Sequence, residues 1–123
     1  ILNDVEKQIR RRILLQTKTL ILTPRYLVEL SDDICAIIPL PEVLWIYDHA
    51  AMRRTIKGRQ LSYTIHVVTM KGEEYTLTGK SHREVSAIYH ELNTRYPNFF
   101  FGYSKEHQEM VQYVLHEMKN EKA

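Results

Sequence analysis

The stretch that decides the fold is residues 59–79, RQLSYTIHVVTMKGEEYTLTG. Leu61, Tyr63, Ile65 and Val67 alternate with Ser62, Thr64 and His66, the period of two expected of a strand wet on one face. Lys71-Gly72 interrupts the pattern, and glycine supplies the positive φ that a tight hairpin turn favours. Residues 74–78 return as the second strand. Ser81-His82-Arg83-Glu84 follows and matches a capping box, serine at the cap and glutamate three residues on. The helix it opens carries Val85, Ile88, Tyr89, Leu92 and Tyr96 at helical spacing, and Pro97 stops it.

Working outward, residues from Asn3 to about Gln16 read as a helix, with Asn3 or Asp4 at its cap. Val5, Ile9 and Ile13 form a narrow apolar stripe, while Lys7, Arg10, Arg11 and Arg12 make the rest strongly basic. The period then changes to two. Residues 18–23 and 26–30 read as strands joined by Pro24-Arg25, and Ser31-Asp32-Asp33 is the next turn. Residues 34–38 and 43–48 are two more strands, broken by Pro39 and Pro41. In the second, Val43, Trp45 and Tyr47 share one face and Leu44 and Ile46 the other, so both faces are expected to be covered. Residues 49–58 read as a connection, with a helical turn placed around 50–54. After an extended link at 98–102, Ser104 can cap a last helix bearing Met110, Val111, Val114, Leu115 and Met118 on one face.

The expected fold class is α+β. A basic amphipathic helix (1–17) precedes a domain (18–119) of about six antiparallel strands in sequential hairpins, closed by two C-terminal helices, with a frayed tail at 120–123. A chain of 123 residues suits one domain, and 44% hydrophobic with 26% charged residues are ordinary globular values. Cys35 is the single cysteine, which rules out an internal disulfide and suits a reducing compartment. In its apolar run it reads as a small buried hydrophobe. No apolar run approaches the roughly 18–20 residues of a membrane helix. The chain opens on Ile1 and is read as a fragment, whose upstream part could hold a span or a second domain.

Candidate chemistry is sparse. His82 and His90 lie two helical turns apart, His107 and His116 point to different faces, and Asp48-His49 are adjacent in sequence. None has metal-ligand spacing, and neither HExxH nor CxxC occurs. Asp32, Asp33, Glu73 and Glu74 are adjacent turn carboxylates without a pocket to shift them. The four glycines are scattered and form no phosphate-cradling loop. The expectation is no catalytic residue, no metal and no cofactor. A net charge of +2 is too small to argue for nucleic acid, and Tyr63, Tyr75 and Tyr89 fall on apolar faces. One cluster stands out. Arg53, Arg54, Lys57 and Arg59 put four positive charges into seven residues without an acid, and arginine forks suit phosphate oxygens. The plainer reading is a solvated loop that keeps the domain soluble.

Leu22-Thr23 followed by Tyr26, the strand residues Val43, Trp45, Ile46 and Tyr47, Gly72, and the Pro97-Asn98 … Gly102-Tyr103-Ser104 join carry a resemblance. Over roughly residues 18–114 the chain resembles uncharacterised bacterial domains with a pleckstrin-homology-like fold, often found in membrane-anchored proteins. That resemblance implies a curled antiparallel sheet closed by a C-terminal helix, and no catalytic residues. It implies binding of lipid headgroups, peptides or partner proteins, although fold alone does not fix function. The expected function is a non-enzymatic interaction or regulatory module at the cytoplasmic side of a bacterial membrane. Its partner would be a protein or the anionic membrane surface, met by Arg53, Arg54, Lys57 and Arg59 or by Arg10, Arg11 and Arg12. The alternatives are a small enzyme with an unrecognised pocket and a nucleic-acid-binding domain.

Overall fold

A computed structural model describes residues 2–31 and 34–122, except the side chains of Leu2, Gln8, Ser31, Ile34, Cys35, Glu121 and Lys122. The readings of Cys35 as a buried hydrophobe and of Asp32-Asp33 as a turn lie outside the described residues. In chain order the elements are α1 (Leu2–Arg11), β1 (Leu15–Gln16), β2 (Leu20–Leu22), β3 (Tyr26–Ser31), β4 (Ile34–Pro39), a 3₁₀ turn (Leu40–Glu42), β5 (Val43–Thr55), β6 (Gly58–Thr69), β7 (Glu74–Lys80), α2 (His82–Arg95), β8 (Phe100–Phe101) and α3 (Lys105–Lys122). The class is α+β, as the sequence indicates. The eight described strands form two four-stranded sheets, β1-β2-β3-β4 and β7-β6-β5-β8, rather than one sheet of about six. The chain divides into two compact units, Ile1–Pro41 with His82–Pro97 and Glu42–Ser81 with Asn98–Ala123.

In the first unit, four strands pair in sequence order, all antiparallel. Ile21, Val28 and Ile37 lie in one register row. With Tyr26 they receive Val5 and Ile9 from α1. The alternate row, Leu22, Leu27 and Ile38, points to the opposite face and is fully buried. Helix α1 stops at Arg11, short of the expected Gln16, because Leu15-Gln16 pairs with Ile21-Leu22 as a strand. Ile13 therefore leaves the apolar stripe and is exposed. The helix also begins earlier than expected, which places Asp4 inside its first turn rather than at the cap. The Tyr26 hydroxyl donates to the Asp4 carboxylate at 2.5 Å. At the other end of the unit, α2 begins directly after Ser81, as the capping pattern predicts, and buries Val85, Ile88 and Leu92.

Two contacts pin α2 to the first unit. The hydroxyls of Thr17 and Thr19 donate to Oε2 of Glu84, at 2.6 and 2.8 Å. Beyond its last turn the Tyr96 hydroxyl donates to the Pro24 carbonyl at 3.1 Å. Glu84 is only 5% exposed, and a carboxylate so placed needs donors. The Arg95 guanidinium pairs with the buried Glu91 one turn earlier on the same helix.

The second unit is built on the β5–β6 hairpin. On one side β7 adds antiparallel, and Gly72 turns the chain with φ +83°. On the other side β8 adds parallel to β5, aligning Trp45 with Phe100 and Ile46 with Phe101. This pair departs from the expected all-antiparallel sheet. Helix α3 lays Val111, Val114 and Leu115 over Leu44, Trp45 and Val68. Ser104 caps it, its hydroxyl accepting from the His107 N–H at 2.9 Å. The helix continues to Lys122, through most of the tail expected to fray.

Two stability measurements test this packing. Trp45 is buried, at 6% exposure, so Trp45→Ala should cost about 3–5 kcal/mol in a denaturant titration. A loss below about 1 kcal/mol would contradict its place under α3. Thr17→Val with Thr19→Val should cost about 2–4 kcal/mol, because Glu84 then stays buried without those donors. No measurable loss would mean that the two hydroxyls do not hold α2.

Candidate functional site

The residues from His49 to Gly58 do not form the connection, with a helical turn at 50–54, that their sequence suggests. Together with Arg59, Gln60 and Leu61 they are the outer half of the β5–β6 hairpin, with Thr55 opposite Gly58 and the turn at Ile56-Lys57. Gly58 takes φ +117° at the turn, and the Thr55 hydroxyl donates to its carbonyl at 2.9 Å. Every residue from 49 to 61 is exposed. At about 3.3 Å per residue, the seven exposed residues of β5 make an arm of about 23 Å, wet on both faces.

All four cations of the basic cluster sit on this arm. Arg54 stands directly opposite Arg59, and Arg53 directly opposite Gln60. Like charges facing across a strand pair are unfavourable. Among the described residues no carboxylate pairs with Arg53, Arg54, Lys57 or Arg59. The arm therefore carries concentrated, uncompensated positive charge, which an anion would relieve. Its flanks hold apolar side chains: Met52, directly opposite Leu61, is 65% exposed, Leu61 is 52% exposed, and Ile56 is fully exposed.

Opposite residues share a face and faces alternate along a strand. One face thus carries the Met52–Leu61 and Arg54–Arg59 pairs. The other carries Ala51 with Ser62 and Arg53 with Gln60. On that second face Ala51, Arg53, Ser62, Thr64, Thr78 and Gly79 line a shallow hollow of about 260 Å³.

Toward the base of the arm the second face becomes aromatic. His49 and His66 approach to 3.3 Å through Nδ1 and Nε2. His66 stacks on Tyr47 at 4.7 Å, and Tyr47 contacts Trp45 and Tyr103. Burial, and after it the neighbouring His49, hold His66 below its ordinary pKa, while Glu74 pulls the other way. Burial, with Glu74 and Tyr103, pushes the Tyr47 hydroxyl up. The sequence gives no sign of this histidine pair, since its members are 17 residues apart and meet only through the register of the hairpin.

Arg10, Arg11 and Arg12 belong to the first unit. Arg10 and Arg11 lie in the last turn of α1 and Arg12 just beyond it, all exposed. Basic side chains there suit the negative end of the helix dipole. The apolar stripe of that helix is occupied, because Val5 and Ile9 pack on the sheet. Among the described residues no group of three or more His, Cys, Asp or Glu is placed to hold a metal ion. Among the described residues no helix is long and apolar enough to cross a membrane.

The lowered pKa of His66 sets a pH dependence. The unfolded chain binds more protons than the folded one between the ordinary histidine value of about 6.5 and the lower folded value. Stability should therefore be full above that window and fall as the pH drops through it. Thermal melts from about pH 7.5 to 5 should show this fall, and His66→Gln should flatten it. An unchanged slope in the variant would place the titration elsewhere.

Comparison with known proteins places the chain in a family. The model of a family described as a domain of unknown function, DUF6709, covers residues 5–111. No curated protein matches the chain. No solved structure matches it either. The matched span runs from the first helix through both sheets to Val111 of α3, and on that extent the chain belongs to the DUF6709 family.

Proposed function

We propose that this domain is a non-enzymatic interaction or regulatory module whose contact element is the basic β-arm. The observation that carries the reading is the arm itself: two strands extended well past their covered half, bearing Arg53, Arg54, Lys57 and Arg59 without an acid partner among the described residues. A hairpin that buries nothing at its end, and holds two arginines face to face, is poorly explained as a stabilising element. It is well suited to an anionic partner, either a protein or a membrane surface.

The fold proposed with this function is pleckstrin-homology-like. Its support is the element order, sequential antiparallel hairpins followed by an amphipathic helix that covers one of them. The setting proposed is the cytoplasmic face of a bacterial membrane, as part of a membrane-anchored protein. Its support is the basic surface of α1, because positive residues beside a span favour the cytoplasmic side.

The test is an NMR titration of the isotope-labelled domain with a short poly-glutamate peptide. Shifts should concentrate in residues 49–62, fade as salt rises, and vanish when Arg53, Arg54, Lys57 and Arg59 are all changed to glutamine. Absence of shifts at low salt with both poly-glutamate and anionic vesicles would remove the reading. Much tighter binding of single-stranded DNA than of poly-glutamate at equal charge would replace it with nucleic-acid binding.

A further inference from the structure

We infer that one face of the arm docks on an anionic lipid bilayer, with Ile56 entering the headgroup layer beside Arg54 and Arg59. This rests on the reading that the arm is the contact element, and it names the partner. The face is set by register. Met52 lies opposite Leu61, and two residues further out Arg54 lies opposite Arg59. Ile56 follows at the turn, fully exposed, with Lys57 beside it.

The strip thus runs from the apolar pair through the cationic pair to the exposed isoleucine at the tip. Such an arrangement matches the boundary between phosphates and acyl chains, where cations meet the phosphates and apolar groups enter below them. From Met52 to Ile56 the strip is about 13 Å long, far short of a hydrocarbon core of about 30 Å. The arm therefore rests in the interface and does not span. Toward the base the same face reaches Asp48, opposite Ile65.

Other occupants fit less well. A second copy meeting this face by two-fold symmetry would set Arg54 and Arg59 against the same arginines of its partner. An acidic protein would satisfy the cations yet leave a fully exposed isoleucine at the tip without a role. Lipid satisfies both.

The experiment uses vesicles of phosphatidylglycerol and phosphatidylcholine in equal parts, with pure phosphatidylcholine as the neutral control. The domain should sediment with the anionic vesicles and not with the neutral ones. Each basic residue near such a surface is worth about a five-fold change in partitioning, so Arg54→Gln with Arg59→Gln should weaken binding about thirty-fold. Ile56→Ser leaves the charge intact and should weaken it about five- to ten-fold. These side chains are exposed, so the variants should keep the parent melting temperature. Ile56→Trp should show a blue-shifted emission component on binding, against the fixed contribution of Trp45, the single native tryptophan.

Unchanged binding by Ile56→Ser together with unshifted emission from Ile56→Trp would overturn insertion. Equal binding to neutral vesicles would overturn the electrostatic half. If anionic vesicles do not bind while poly-glutamate still shifts the arm, the bilayer is the wrong partner and the interaction module survives. If neither binds, both fail.

Discussion

A buried indole needs an acceptor for its N–H, and the second unit is organised around how Trp45 finds one. Its Nε1 donates to the Gly102 carbonyl at 2.9 Å, while the Gly102 N–H donates to the Ile46 carbonyl at 2.8 Å. Gly102 sits at φ +81°, a conformation that suits glycine. This exchange fastens the short parallel strand β8 to β5 and delivers the chain to Ser104, where α3 starts. His107 Nδ1 is 2.9 Å from the same carbonyl, so the ring carries its proton on Nδ1 and the oxygen accepts twice. The helix can then cover Trp45, Leu44 and Val68 only in the register that this junction sets. Removing the indole would uncouple a strand and the start of a helix as well as empty a space.

The first unit solves a similar problem with a charge. Glu84 is part of a helix-start signature in the sequence, yet its carboxylate also collects hydroxyls from Thr17 and Thr19, more than sixty residues away. A buried carboxylate that accepts from the Thr17 and Thr19 hydroxyls fixes the start of α2 against the first turn of the meander. The same residue therefore stands both in a local helix-start pattern and in a long-range closure. Only the local part has a sequence signature, because spacing along a chain says nothing about a partner so distant.

This divides what the sequence made legible from what it did not. Where one face is buried, period and punctuation were readable. The β6–β7 hairpin, the start of α2 after Ser81, its stop before Pro97, the cap at Ser104 and the burial of Trp45 all follow from alternation, capping chemistry or aromatic content. Strands without a buried face left no such trace. His49-Ala50-Ala51-Met52-Arg53-Arg54 contains good helix formers and no alternation, since in β5 both faces are wet and cross-strand bonding alone holds the extended form. The two-residue strands β1 and β8 are too short to display a period. The basic cluster was visible as four cations in seven residues, but its geometry was not. A hairpin tip and a loop share a composition, and only register places Arg54 against Arg59.

The arm's wetness has a consequence for how this domain can change. In β5 the buried pattern ends at Ile46 and the last seven residues are exposed. Substitutions from Ala50 to Thr55 fall outside the aromatic cluster at the arm's base, and exposed positions of this kind typically shift stability by less than about 0.5 kcal/mol. Under the proposed reading of the arm as a contact element, recognition and folding are encoded in separate stretches of one hairpin. The tip can exchange charge for charge, or isoleucine for another apolar residue, while the scaffold beneath it stays intact. Such a division would let one sheet carry many surface chemistries, because the exposed tip is not the part that holds the molecule together.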